Sequence, residues 1–461
     1  MRTVLDRPRI AARVGGVLFL LVFLASIPID SASAQAVNQN LLVQQPVGGV
    51  SIRPDGLLEN ATEDALGQLG KTRERLLGDI PADLKGRVPL RKISLRRLDA
   101  ALAAAIGSGK PLSNDLFFLG GLQQIRYVFV YPEQKDIVLV GPAEGWKVDA
   151  AGNIVGKTSG RPVMNLDDLV IALRSAAGSR QAEIACSIDP TDEGRAQLRA
   201  YVKTLRQMGD PNAIEQGIER ALGRQHVSVS GVPANSHFAT VLVAADYRMK
   251  RLAMAFDRAP VKGLPSFLEM YKAGTAGMSN MMPRWWLEPK YDGVLRDAQG
   301  LAWEFQGASV KCMTEEDFQA AGGSREHMGH ASPIAQKWAD NMTRHYDELA
   351  VAEPVFGQLQ SCMELAVAAT LIVRENLPQK AGCGLSTLLD GASLKTVELQ
   401  APTQVDSRVS MLRKGRNWVI SASGGVTIHS AEIIARARTS SDVAPARDKL
   451  EPAAESDWYS N

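Results

Sequence analysis

The chain lacks the features that usually announce a chemistry. Aromatic residues make up 6% of its 461 positions, and there are only four cysteines. No two cysteines share the C-x2-4-C spacing of zinc sites, which disfavours structural zinc. No G-x-S-x-G turn presents a nucleophilic serine; Gly277-Met278-Ser279-Asn280 and Ser423-Gly424-Gly425 match it only in part. A phosphate loop of the G-x4-G-K-[ST] type is missing too, because the glycine before Gly156-Lys157-Thr158 is misplaced. These absences leave no catalytic residue to name and imply no cofactor.

Charge of one sign is also missing. Residues 1–34 hold four basic and two acidic side chains, so a chain starting at Gln35 keeps 48 of 52 basic and 48 of 50 acidic residues. A nucleic-acid partner needs a basic surplus or stripe. Arg96-Arg97 and Arg413-Lys414-Gly415-Arg416 are short and isolated, so none is implied. Beyond residue 34 the longest apolar run, Leu365 to Val373, is closed by Glu364 and Arg374. It falls short of the roughly 20 residues a membrane helix needs and reads as a buried helix.

What is present begins with an export signal. Arg2, Arg7, Arg9 and Arg13 precede an apolar run from Val17 to Ile29, and Ala32-Ser33-Ala34 is a small-x-small cleavage pattern. The protein is expected in the periplasm or outside the cell, with no transmembrane anchor after cleavage; retention of the signal as an anchor is the alternative. In such an oxidising compartment Cys186, Cys312, Cys362 and Cys383 allow three complete pairings, and Cys362 with Cys383 is the preferred bridge.

The pattern predicts a mixed α/β (α+β) protein of hairpin-rich sheets with packed helices. The expected divisions are a signal at 1–34, a loose leader at 35–49, an α/β domain at 50–180, an α/β segment at 181–275, a unit at 276–437 and a disordered tail at 438–461. Leu122 to Tyr131 and Asp136 to Val140 read as paired strands. Asp149-Ala150-Ala151-Gly152-Asn153 and Asp297-Ala298-Gln299-Gly300 read as tight hairpin turns. Helices are expected after Ser94, Asn165, Asp189-Pro190, Asp210 and Ser236. A helical hairpin is expected near 333–376, opened by Pro333 and Pro354, followed by a C-terminal β segment with strands at Leu394 to Gln400, Val405 to Leu412 and Trp418 to Ile428.

The polar clusters admit bland readings. Asp167-Asp168, Asp189/Asp192 and Glu315-Glu316-Asp317 sit where helices are expected to begin and read as caps. Glu326-His327-Met328-Gly329-His330, with His345 further on, could supply three imidazoles to a metal, although the nearby glycines argue for a solvated loop. Of Trp285-Trp286, neighbours on a strand, one is expected in the core and one at an interface.

Two resemblances stand beside these readings. Pro142-Ala143, Gly145-Trp146, Gly152-Asn153-Ile154-Val155, Gly160-Arg161-Pro162-Val163 and Leu166-Asp167-Asp168-Leu169 resemble, in order, part of a bacterial PDZ domain. That resemblance implies a peptide C-terminus bound beside a helix bearing Leu166, Leu169 and Val170. Extra residues between Gly145 and Gly152, and a loose match at Phe118-Leu119-Gly120-Gly121, depart from it. Over about 50 to 437, phrases such as VGPAEGW (140–146), ADYRMKRLAM (245–254), PRWW (283–286) and EPVFGQL (353–359) are similar to an exported planctomycete-type family bearing a domain of unknown function. It implies no activity to carry over. The expectation is therefore a binding or structural component of the cell envelope whose partner is an envelope protein or peptide. A hydrolase of envelope polymers and a PDZ-like peptide-binding module are the alternatives.

Overall fold

The computed structural model describes residues 47, 50–60, 68–178, 183–205, 210–273, 283–319, 325–327, 332–410, 412–414, 417–419, 421–452 and 457–461. The expected signal peptide and, Val47 apart, the leader lie outside these residues.

Period-two alternation builds the larger sheet. In the strand Pro283–Lys290, Trp285 and Leu287 are buried while Trp286 and Glu288 are half-buried on the other face. This strand pairs antiparallel with Ser309–Gln319 and parallel with Ser423–His429. The nine strands run in the order Val50–Ile52, Leu57–Asn60, Gln404–Asp406, Arg224–Ser230, Glu183–Pro190, Ser423–His429, Pro283–Lys290, Ser309–Gln319 and Arg325–His327. The second sheet has seven strands: Arg438–Thr439, Gly293–Arg296, Ala302–Gln306, Tyr127–Tyr131, Asp136–Ala143, Val88–Ser94 and Tyr459–Ser460. Its central pair, Tyr127–Tyr131 with Asp136–Ala143, is covered on both faces, as its near-continuous apolar sequence demands. Both Asp-Ala-x-Gly turns close as expected, with Gly152 and Gly300 at positive φ and each donating its N–H back to the aspartate carbonyl.

Six helices surround or support the sites: α1 (Leu95–Gly107), α2 (Leu166–Gly178), α3 (His237–Ala253), α4 (Pro333–Arg344), α5 (Tyr346–Ala352) and α6 (Pro354–Arg374). Ser94, Ser236 and Ser332 cap α1, α3 and α4 through their hydroxyls, accepting from Arg97, Ala239 and Ala335 N–H. Helix α6 is apolar all round and every residue from Val355 to Ile372 is buried, the signature of a core helix. Its length and composition would let it cross a membrane, yet its whole apolar window lies inside the protein. Helix α2 packs along α6, and α3 lies on the strands Glu183–Pro190 and Ser423–His429 of the larger sheet.

Several expectations need correction. The nine-stranded sheet takes strands from all three expected segments, and one hydrophobic core includes residues of each. The described parts of the expected tail are ordered: Tyr459–Ser460 pairs with Val88–Ser94 at the edge of the second sheet, Val443 and Trp458 are buried, and Val443–Lys449 is helical. Burial of a few apolar side chains outweighs the small, charged composition there. The strand Glu183–Pro190 runs through the proline, and Thr191 is the true cap of the following helix, accepting from Gly194 N–H at 3.0 Å. The first arm of the expected helical hairpin breaks at His345 into α4 and α5. Residues 395–400 form no strand. Glu315, Glu316 and Asp317 lie on a strand, so capping does not apply to them.

A candidate ligand-binding cleft and the buried acids around it

Antiparallel pairing gathers one end of the seven-stranded sheet. Val88 stands opposite Ala143, Tyr127 opposite Val140, and Glu304 opposite Tyr127. The chain entering or leaving these strands therefore walls a single open cleft of about 860 Å³. Arg87, Arg126 and Arg161 line it together with Glu304 and Asp347. Arg126 lies over the Tyr127 ring at 5.3 Å and reaches Glu304 at 3.6 Å. Arg161 meets Asp347 at 3.0 Å, and Ser309 donates to the same carboxylate at 3.3 Å. Arg87 is exposed on the wall, where no ion-pair partner holds it among the described residues. The backbone is tight here, since a side chain at Gly141 would collide with the Gln124 carbonyl on the floor.

Behind that floor lies Glu364 of α6. One carboxyl oxygen accepts from Ile125 N–H at 2.7 Å and the other from the Gln360 amide at 3.0 Å; the same amide donates to the Ala308 carbonyl at 3.1 Å. Ile125 and Ala308 themselves line the cleft. Burial pushes Glu364 up to about 7, against the pull of Ile125 N–H and Gln360. Its hydrogen-bonding partners are neutral, so the ionised form gains little to offset desolvation.

The opposite side of the same helix holds a different arrangement. Asp168 on α2 accepts from His237 Nδ1–H, its two oxygens 3.0 and 2.9 Å away, and both side chains are buried. Burial lowers the affinity of His237 for a proton, but Asp168 outweighs it and the net pKa is raised. Cys362 of α6 faces the same carboxylate, and burial followed by Asp168 holds its thiol well above the ordinary range. Asp167 accepts from Val397 N–H at 3.0 Å and is pushed up by burial to about 6. A third buried acid, Asp246 on α3, is likewise pushed up by burial to about 6 and is held by Lys250 at 2.8 Å. Lys250 also donates to the Ile188 and Gly424 carbonyls at 3.0 and 3.3 Å, tying α3 to the larger sheet.

The residues singled out in the sequence are placed as follows. Leu166, Leu169 and Val170 are buried in the core, where α2 packs along α6. Cys362 and Cys383 are free thiols: Cys362 turns to Asp168, while Cys383 lies after α6 near Asp136, Arg96 and Asp99. His327 is on the strand Arg325–His327, opposite Asp317; His345 joins α4 to α5 with Nδ1 3.7 Å from Glu348; His330 lies outside the described residues. Among the described residues no three His, Cys, Asp or Glu side chains come together to hold a metal. Asp167 and Asp168 do more than cap: Asn165 caps α2 at 2.8 Å from Asp167 N–H, freeing both carboxylates for tertiary contacts. Sequence reading missed the Asp168–His237 pair and Glu364. The available signal was an ionisable residue inside an otherwise apolar helical register, as Asp168, His237 and Glu364 each are.

A family described as "Protein of unknown function (DUF1598)" matches residues 186–267, a segment that spans α3 with His237, Asp246 and Lys250. Neither a curated protein nor a solved structure matches the chain.

Proposed function

We propose that the protein is an exported binding component of the cell envelope, and that its arginine-lined cleft docks an acidic peptide segment of an envelope protein. The observation that carries this reading is the set of three guanidinium groups, Arg87, Arg126 and Arg161, around one open cleft at the end of the seven-stranded sheet. Arginine forks match carboxylates in geometry as well as charge, and an incoming acidic chain can replace Glu304 or Asp347 as their partner. A hydrolase would need a titrating group within reach of the reacting bond. Glu364 instead has both oxygens engaged behind the floor, which favours binding over turnover. The arginine-rich leader and the Ala32-Ser33-Ala34 site support export.

The test is calorimetric titration with a hexaglutamate peptide at low salt. Wild type should bind it, and Arg87→Ala with Arg161→Ala should weaken binding by about tenfold while flattening its salt dependence. No heat of binding from wild type, or equal affinity in the double variant, would rule the reading out. N-terminal sequencing of the protein made in its natural host should begin at Gln35; finding Met1 retained would end the cleavage claim.

A further inference from the structure

A second concavity, of about 420 Å³, lies at one end of the nine-stranded sheet, where Leu57–Asn60 and Gln404–Asp406 run parallel and stop. Its wall includes two half-buried rings, Tyr247 of α3 and Phe256 just after it. The Arg251 guanidinium lies over both rings, at 5.5 and 5.7 Å, and is fixed by two hydrogen bonds to Asp257 at 2.7 and 3.0 Å. The rings are thus held by a cation that cannot readily turn away. Around them stand short planar polar groups: Glu59, Asn60, Glu219 and Asp406, with Arg408.

Most of the charge in this rim is paired with a neighbour of opposite sign, and the remaining carboxylate is hydrogen-bonded. Glu59 has Arg53 at 3.4 Å, Asp406 has Arg224 at 3.4 Å, and Glu219 accepts from Val409 N–H at 3.1 Å. Arg251 is matched by Asp257. A rim of this kind offers many hydrogen-bond acceptors and a few donors without a strong net field, so it has little to hold a simple ion. Ring surfaces suit the C–H faces of a pyranose, and carboxylate, amide and guanidinium planes suit its paired hydroxyls. Small-ligand sites combine an apolar floor with few placed polar groups at this size. From this we infer that the cavity is a binding site for a neutral saccharide, separate from the arginine-lined cleft.

Ligand-observed NMR and calorimetry with triacetylchitotriose, cellotriose and maltotriose test the assignment on the full chain. At least one of the three should bind in the sub-millimolar to millimolar range. Tyr247→Ala should weaken that binding by about tenfold and Asn60→Ala by about threefold, since Asn60 is exposed and its loss leaves the fold intact. Arg161→Ala, in the other cleft, should leave it unchanged. Absence of binding for all three sugars would overturn the inference, and so would binding indifferent to Asn60→Ala. Binding of a hexalysine peptide at this rim with no response to any sugar would instead assign the site to a cationic partner.

Discussion

The two sides of α6 treat a buried acid in opposite ways. On one side Asp168 has a histidine at hydrogen-bond distance and a thiol beside it; on the other, Glu364 has a backbone N–H and an amide. The first partner is a titratable imidazole; at the second the hydrogen-bonding partners are neutral and the Arg161 charge acts only from further off. A buried carboxylate–imidazole pair ties α2 to α3 and is costly to break from one side, because the surviving buried group loses its partner. A buried acid with neutral donors carries no such penalty when protonated, and so its proton is exchanged near neutrality. The comparison separates a group that holds the architecture from one whose state can change beneath a cleft.

Breaking the first side should cost most. Asp168→Ala leaves His237 buried without its carboxylate and should lower unfolding free energy by about 3–5 kcal/mol. Chemical denaturation at pH 6 checks it, and a loss below about 1 kcal/mol would mean the pair is dispensable. The apolar interface next to it gives a smaller or equal effect. Leu169→Ala, fully buried on α2, should cost about 2–5 kcal/mol in the same assay, and a neutral result would show that α2 does not bury that face.

The second side is sharpened by pH rather than by truncation. Glu364 has an ordinary value of 4.5 and a folded value of about 7, so the native state binds the extra proton between them. Stability is therefore complete below about pH 4.5 and falls as pH rises through 7, by on the order of 3 kcal/mol from this group. Asp167 and Asp246, raised from 3.8 to about 6, act in the same direction at lower pH. The raised His237 adds stability that is likewise lost as pH climbs past its folded value. Denaturation from pH 5 to 8 should show declining stability in wild type and a shallower decline in Glu364→Gln; parallel curves would remove Glu364 as the cause. The smallest effect belongs to the surface. Arg53→Ala, which loses exposed contacts to Asp55 and Glu59, should change stability by less than about 1 kcal/mol.

Local signals were legible in the sequence wherever a short-range rule decides. Ser94, Asn165, Asp210 and Ser236 cap helices at the expected starts, because capping depends on residues within one turn. The two Asp-Ala-x-Gly hairpins follow from positive φ at one glycine each. Of the tryptophan pair, Trp285 is in the core and Trp286 on the more open face. What sequence could not supply was long-range assembly. The strand at Gln404–Asp406 pairs with Leu57–Asn60 and Arg224–Ser230, across gaps no local pattern encodes. The candidate cleft joins residues from Arg87 to Asp347 for the same reason. Asp168 read as a cap because its partner lies 69 positions away on another helix, where only folding brings it within reach.

The direct measurement is a carbon-13 NMR titration of the Glu364 side-chain carboxyl in the intact protein. A buried acid behind the cleft floor, its desolvation outweighing its hydrogen bonds, predicts a midpoint near 7, falling toward the ordinary range when the protein is unfolded in urea. A folded-state midpoint near 4.5 would contradict it, showing that Glu364 has a compensating charge or open access to water.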